Sequence, residues 1–173
     1  DGALFNGDGL DVPHLTQHMA KHGSITNFDN AQPMSPGDML EQGADLFIPA
    51  ATAGTIDIEL AQKINVELVV EAANGPTLPD ADMILIDRDI EVVPDILANA
   101  GGVFVSYLEY TQETQQEQMT EQEVNTRLEQ RMAERYKLVA ETARSMKLNM
   151  REAALHKAIQ RVCLATIARG FLP

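Results

Sequence analysis

Asn99, Gly102, Val103 and Ser106 stand at i, i+3, i+4 and i+7 within Pro94–Tyr110, PDILANAGGVFVSYLEY. That spacing puts an amide, a bare backbone, an apolar side chain and a hydroxyl on one face of a helix. Such a face can hold a small ligand, with polar contacts at its ends and close approach in its middle. The adjacent Gly101 and Gly102 would cost a helix interior roughly 1 kcal/mol each relative to alanine, which a sequence accepts where something must come close to the backbone. Two readings fit: a ligand against the stripe, or a tight helix crossing at the glycines with Asn99 as a helix-start residue.

The elements that must position this stripe are short apolar strands separated by helices. DLFIPAA (Asp45–Ala51), VELVVEAA (Val66–Ala73) and IEVVPD (Ile90–Asp95) read as strands, with helices near Ile58–Ile64 and over Pro79–Ile86 between them. Strands apolar nearly throughout, linked by crossover helices, predict a parallel sheet covered on both faces, a doubly wound α/β layer. In such sheets ligands bind at the carboxyl ends of the strands. The first strand ends in Pro49, Ala50 and Ala51, small residues that leave room for a ring or ribose. The second ends in Asn74-Gly75-Pro76, a tight turn whose amide side chain can donate and accept. The third runs through Pro94-Asp95 into the Asn99 stripe. Each is also a well-made turn by itself; it is their convergence that predicts a site.

Toward the amino terminus, ALF (Ala3–Phe5) is a short strand candidate, and Asp11, Pro13 and Gly23 bound a helix. His14, His18 and His22 recur on one face of it. The spacing can hold a divalent metal with further ligands, but the reading taken is a solvated helix face, and no metal is assigned. Gly7-Asp-Gly9-Leu-Asp-Val12 is a turn and not a phosphate loop, because Asp8 and Asp11 would face a pyrophosphate and Val12 stands where a third small residue belongs. A loop holding Pro33 and Pro36 and a short helix, Pro36–Gln42, lead to the first of the three strands.

Beyond Tyr110 a Gln/Glu-rich run, Thr111–Glu123, predicts a solvated helix end and loop. Thr120 with Glu123 forms a capping box for a helix with Val124, Leu128, Met132, Val139, Ala143 and Met146 on its apolar face. Asn149 with Glu152 caps a last helix through Arg169, for which Leu155, Ile159, Val162 and Ala165 are the expected buried stripe and Cys163 is expected to be buried filler.

Composition narrows the partners. A net charge of −13 on 173 residues argues against nucleic acid and anionic membrane surfaces. No apolar run approaches the roughly 18 residues of a membrane span. The single cysteine cannot form an internal disulfide and fits a reducing, cytoplasmic setting. The chain begins with Asp1 inside what reads as a turn, which suggests a fragment, a processed product or an expressed truncation.

The runs ANAGGVFVSYLEY, EAANGPTLPDAD (Glu71–Asp82) and VVPDILANAGG (Val92–Gly102) resemble the carboxy-terminal half of the nucleotide-binding domain of glutamate dehydrogenases. These belong to the wider glutamate, leucine, phenylalanine and valine dehydrogenase family, and the GGVxVSYxE pattern resembles the glutamate branch. The resemblance runs from Gly2 to Pro173. It implies a partial doubly wound, Rossmann-like sheet with a C-terminal helical segment: residues 1–112 as the distal part of a dinucleotide-binding domain, 113–173 as helices packing on it. It implies NAD or NADP as cofactor, with Ala50 and Ala51 along the nucleotide and Asn74 and Asn99 at the nicotinamide ribose and reacting centre. Val103 and Ser106 would meet the substrate, L-glutamate or 2-oxoglutarate, Ser106 bonding its distal carboxylate. A homo-oligomer is implied for the intact enzyme. The family's phosphate loop, catalytic lysines and catalytic aspartate match nothing in these residues. No general acid or base is therefore assigned, and the chain alone is expected to be inactive. The competing expectation is a stand-alone binding module that kept the fold without the chemistry.

Overall fold

The structure is a computed structural model that describes residues 2–116 and 118–170. Asp1, with the turn expected around it, Glu117 of the Gln/Glu-rich run, and residues 171–173 lie outside the described residues. The first unit is an antiparallel ribbon, β1 (Ala3–Phe5) against β2 (Gln32–Met34), with α1 (Val12–His22) between them in sequence. Strand β2 replaces part of the expected loop. Its Pro33 lies opposite Leu4, tolerable because a two-stranded ribbon consists only of edges, where a missing N–H need not break a ladder. Asp11 caps α1 by accepting from the His14 N–H, and Gly23 closes it in the left-handed conformation. The histidine face is not merely solvated: His14 and His18 flank Phe28 at ring distances of 5.1 and 5.5 Å. Among the described residues no group of three or more His, Cys, Asp and Glu side chains is arranged to hold a metal ion.

After α2 (Pro36–Leu40), the alternation β3 (Ala44–Phe47), α3 (Ile58–Lys63), β4 (Val66–Val70), α4 (Pro79–Asp87), β5 (Glu91–Val93) builds a parallel sheet of order β3-β4-β5. Val69 lies opposite Val92 and Val70 opposite Val93, so neighbouring strands present matched residues to each face. On one face Val69 and Val92 pack with Ile56, Ala61, Ile64, Ala81, Leu85 and Ile90. On the other, Val93 packs with Leu97, Val139, Met150, Ala153 and Ala154, and Leu68 and Val70 join them. Burial on two sides is why the valines of β4 and β5 run together without alternation; the edge strand β3 departs from the expected two-sided cover, with Asp45 and Leu46 exposed.

Four helices complete the described residues: α5 (Asp95–Ala98), α6 (Gly101–Gln115), α7 (Glu121–Met146) and α8 (Met150–Arg169). Both expected capping boxes form; the backbone and hydroxyl donors of Thr120 hold the Glu123 carboxyl below its ordinary value. The apolar face of α7 is confirmed at Val139, which is buried, and at the half-buried Val124, Leu128, Met132 and Ala143, whereas Met146 is exposed.

The face expected for α8 is the wrong one. Leu155, Ile159, Val162 and Ala165 are exposed; the buried contacts are Met150, Ala153 and Ala154. Only the first turns of α8 reach the layer, through Met150 and through Ala153 and Ala154, which are small enough for close approach. From Ile159 to Gly170 every position is exposed, Cys163 included, which corrects its expected burial. No helix among the described residues is long and apolar enough to cross a membrane.

Candidate functional site

The edge formed by the carboxyl ends of β3, β4 and β5 is organised by a buried charge. Immediately after β4 comes Glu71, wholly inaccessible to solvent, where a carboxylate must be paired. Arg151, in the first turn of α8, meets it with two parallel bonds, Nη2 to Oε1 at 2.8 Å and Nη1 to Oε2 at 3.0 Å. The same guanidinium donates to Asp82 of α4 through Nε at 2.9 Å and Nη2 at 3.0 Å. Burial opposes the charge on Arg151, but the bonds to Glu71 and then Asp82 outweigh it and hold the guanidinium above the ordinary arginine value. The Asp95 N–H donates to Glu71 Oε2 at 2.8 Å, and Asp95 Oδ2 accepts from the Gly75 N–H at 2.8 Å. One guanidinium thus ties the end of β4 to α4 and α8, and the Asp95 backbone brings in α5. Sequence reasoning missed this network. Its signal was an acid ending an all-apolar strand, which needs a cation somewhere in the chain.

On that frame sits an amide pair. Gly75, at φ 54°, makes the turn after β4 in a conformation that glycine adopts freely. Asn99 Nδ2 donates to Asn74 Oδ1 at 2.7 Å and to the Ala73 carbonyl at 3.3 Å. Asn74 Nδ2 and Asn99 Oδ1 then have no partner among the described residues. An adjacent free donor and acceptor suit a hydroxyl or a carboxamide, each of which does both. The Pro49 carbonyl accepts from the Ala73 N–H at 2.9 Å, which brings the exposed Ala50 and Ala51 to the same edge.

Asn99 is the C-cap of α5, and α6 begins at Gly101, so the expected single helix is broken at Asn99 and Ala100. Asn99 is therefore not a helix-start residue. The two glycines divide the two readings between them. A methyl on Gly101 would stand 3.2 Å from Leu128 Cδ1 of α7, the close helix crossing; one on Gly102 meets nothing within 4 Å, the open face. Val103 is 77% exposed, and the exposed Ser106 makes no side-chain hydrogen bond among the described residues. Gly102→Ala is accordingly expected to stabilise the chain, by less than the roughly 1 kcal/mol of a helix interior because Gly102 is the second residue of α6, and Gly101→Ala to gain less than Gly102→Ala, because Leu128 must move. Urea unfolding of both variants checks this; a Gly102→Ala chain weaker than the parent would contradict an open face.

The Glutamate/Leucine/Phenylalanine/Valine dehydrogenase profile matches residues 1–170. The chain is 40% identical over 172 residues to a glutamate dehydrogenase of Thermotoga maritima, covering 99% of this chain and 41% of that protein. It is 41% identical to an NADP-specific glutamate dehydrogenase of Halobacterium salinarum and 39% identical to a catabolic NAD-specific one of Bacillus subtilis, again over 99% of this chain, and over 42% and 40% of those proteins. The hetero-hexameric glutamate dehydrogenase of Thermus thermophilus superposes with a TM-score of 0.88 at 31% identity, over 98% of this chain and 40% of that one. The chain thus spans well under half the length of the relatives it matches.

Proposed function

We propose, from the premise that this chain belongs to the glutamate/leucine/phenylalanine/valine dehydrogenase family, that it supplies the nicotinamide-facing edge of a glutamate dehydrogenase. The reaction is reversible oxidative deamination of L-glutamate to 2-oxoglutarate and ammonia. The observation that carries this reading is the Asn74–Asn99 amide pair beside the open face of Gly102, Val103 and Ser106. When bound, NAD or NADP accepts the hydride. The residues fit such a group by their donor set: the free NH2 of Asn74 and the free amide oxygen of Asn99 for a ribose hydroxyl or carboxamide, with Ala50 and Ala51 leaving room at the same edge.

On this reading Val103 presents its exposed isopropyl group to the methylenes of the substrate, and Ser106 donates to the distal carboxylate. A hydroxyl held for that purpose discriminates against an apolar side chain, which would leave it unpaired. Residues 1–112 act as the distal part of the dinucleotide-binding domain and 113–173 as helices packed on it. The intact enzyme is a cytoplasmic homo-oligomer. The 173 residues alone do not turn over, since they carry no phosphate loop and no lysine in the family's catalytic context.

The test is glutamate-dependent nicotinamide reduction, followed by near-ultraviolet absorbance. The 173-residue chain is expected to show none, and a polypeptide carrying the rest of the family's length is expected to be active. In that longer protein Ser106→Ala should lower kcat/KM for glutamate about 10- to 150-fold, the equivalent of about 1.5–3 kcal/mol for a hydrogen bond to a charged group. Norvaline, which lacks the distal carboxylate, should be unaffected. Undiminished glutamate activity in Ser106→Ala would remove the role given to this hydroxyl; turnover by the short chain would remove the claim that it is inactive.

A further inference from the structure

An open groove of about 1100 Å³ runs between α5 and α6 on one side and the α7–α8 hairpin on the other. Its floor is apolar, with Leu97, Val139 and Ala154 among its lining, and it shares Asn99 and Val103 with the edge described above. Four cations line it: Arg131 and Arg135 on α7, Lys157 and Arg161 on α8. Each pair is spaced i,i+4, where like charges repel. Among the described residues none of the four forms an ion pair. Burial, then repulsion from Arg131 and Arg161, holds Arg135 below the ordinary arginine value, against a weaker pull from Glu134. Arg131 lies over the Phe104 ring at 5.4 Å, leaving an aromatic wall beside the charges.

In a chain with 26 acidic and 13 basic residues, four cations stand around an apolar floor with no acidic partner among the described residues, Arg131 resting on Phe104 and Lys157 donating to Gln160. A bound anion would remove their repulsion. We propose that this groove binds an amphiphilic organic anion, its apolar or aromatic body seated on Leu97, Val139 and Ala154 and its doubly charged head held between the α7 and α8 cations. Arginine favours such a head because its planar fork makes paired bonds to oxyanions. The apolar floor distinguishes this ligand from a simple inorganic ion.

The experiment titrates the 173-residue chain with 1-naphthyl phosphate and, separately, inorganic phosphate at matched ionic strength, by calorimetry and amide NMR. Expected are saturable one-to-one binding of naphthyl phosphate at least about tenfold tighter than that of phosphate, and shift changes confined to the groove. Charge reversal in Arg135→Glu/Arg161→Glu should weaken binding by about tenfold or more without lowering Tm, because it turns the repulsive i,i+4 pairs with Arg131 and Lys157 into attractive ones. Lys21→Glu on α1, outside the groove, should leave affinity unchanged. If the double variant does not fold, the shift map of the parent chain still decides. No saturable binding, shift changes elsewhere, or equal losses in Lys21→Glu and the double variant would overturn the site. Equal affinity for the two phosphates would overturn the apolar seat.

Discussion

Arg151→Ala lowers stability by about 3–5 kcal/mol, the cost of leaving a buried carboxylate without its cation. Glu71 has no contact with solvent, and once the guanidinium is gone its remaining donor in the network is the Asp95 N–H. Asp82 and Asp95 then lie near it without the positive charge that all three now face. Arg151→Lys recovers only part of the loss, since a single ammonium cannot make the paired bonds to Glu71 and still reach both oxygens of Asp82. Urea unfolding of the three proteins ranks them, with parent above lysine above alanine. A loss below about 1 kcal/mol for alanine, the scale of an exposed pair, would show that the network does not hold α8 to the sheet. The same variant should loosen the Asn74–Asn99 pair, because Asp95 fixes the Gly75 N–H through the same cluster.

Leu85→Ala removes about 3 kcal/mol, within the 2–5 kcal/mol range for such truncations, and lowers Tm by roughly 6–12 °C in a domain of this size. Leu85 is wholly buried among Ile56, Val69, Ile90 and Val92 on the α3–α4 face of the sheet. Its backbone carbonyl also receives the Arg88 and Ile90 N–H groups where α4 turns into β5, so the region has little freedom to collapse into the vacated space. Calorimetric melting checks the value. The Arg151 cluster reaches α4 through Asp82, one turn before Leu85, so the double substitution tests whether that turn couples them: losses that add within about 0.5 kcal/mol would show that it does not. A loss under 1 kcal/mol for Leu85→Ala would mean the core repacks far more readily than its burial implies.

What the sequence made legible was the information carried locally. Apolar strands separated by helices announced the parallel sheet, and the pairs Thr120/Glu123 and Asn149/Glu152 announced two helix starts. The Pro49, Asn74 and Asp95 loops were expected at one edge, and the hydrogen bonds from Ala73 to Pro49, Gly75 to Asp95 and Asn99 to Asn74 join them there. What escaped depended on distant partners or on competing local signals. The three-residue β2 was hidden by its proline. Helix α8 carries two apolar stripes, and the larger side chains drew attention away from Ala153 and Ala154, which are buried because they are small enough to let helices approach. Gly101 and Gly102 look alike in sequence; only the position of Leu128 separates the packed glycine from the open one.

The 80 residues separating Glu71 from Arg151 also set an order of events. A chain emerging from the ribosome presents the strands of the parallel sheet long before the guanidinium that neutralises Glu71 has been made, so that carboxylate must stay hydrated while α7 is still being synthesised. The loop that brings the two together cannot close before residue 151 has been made. The edge carrying Asn74, Asp95 and Asn99 therefore matures only when the start of α8 docks. Translation products that stop before residue 151 would carry an unneutralised acid at the heart of the layer and be recognised by their instability.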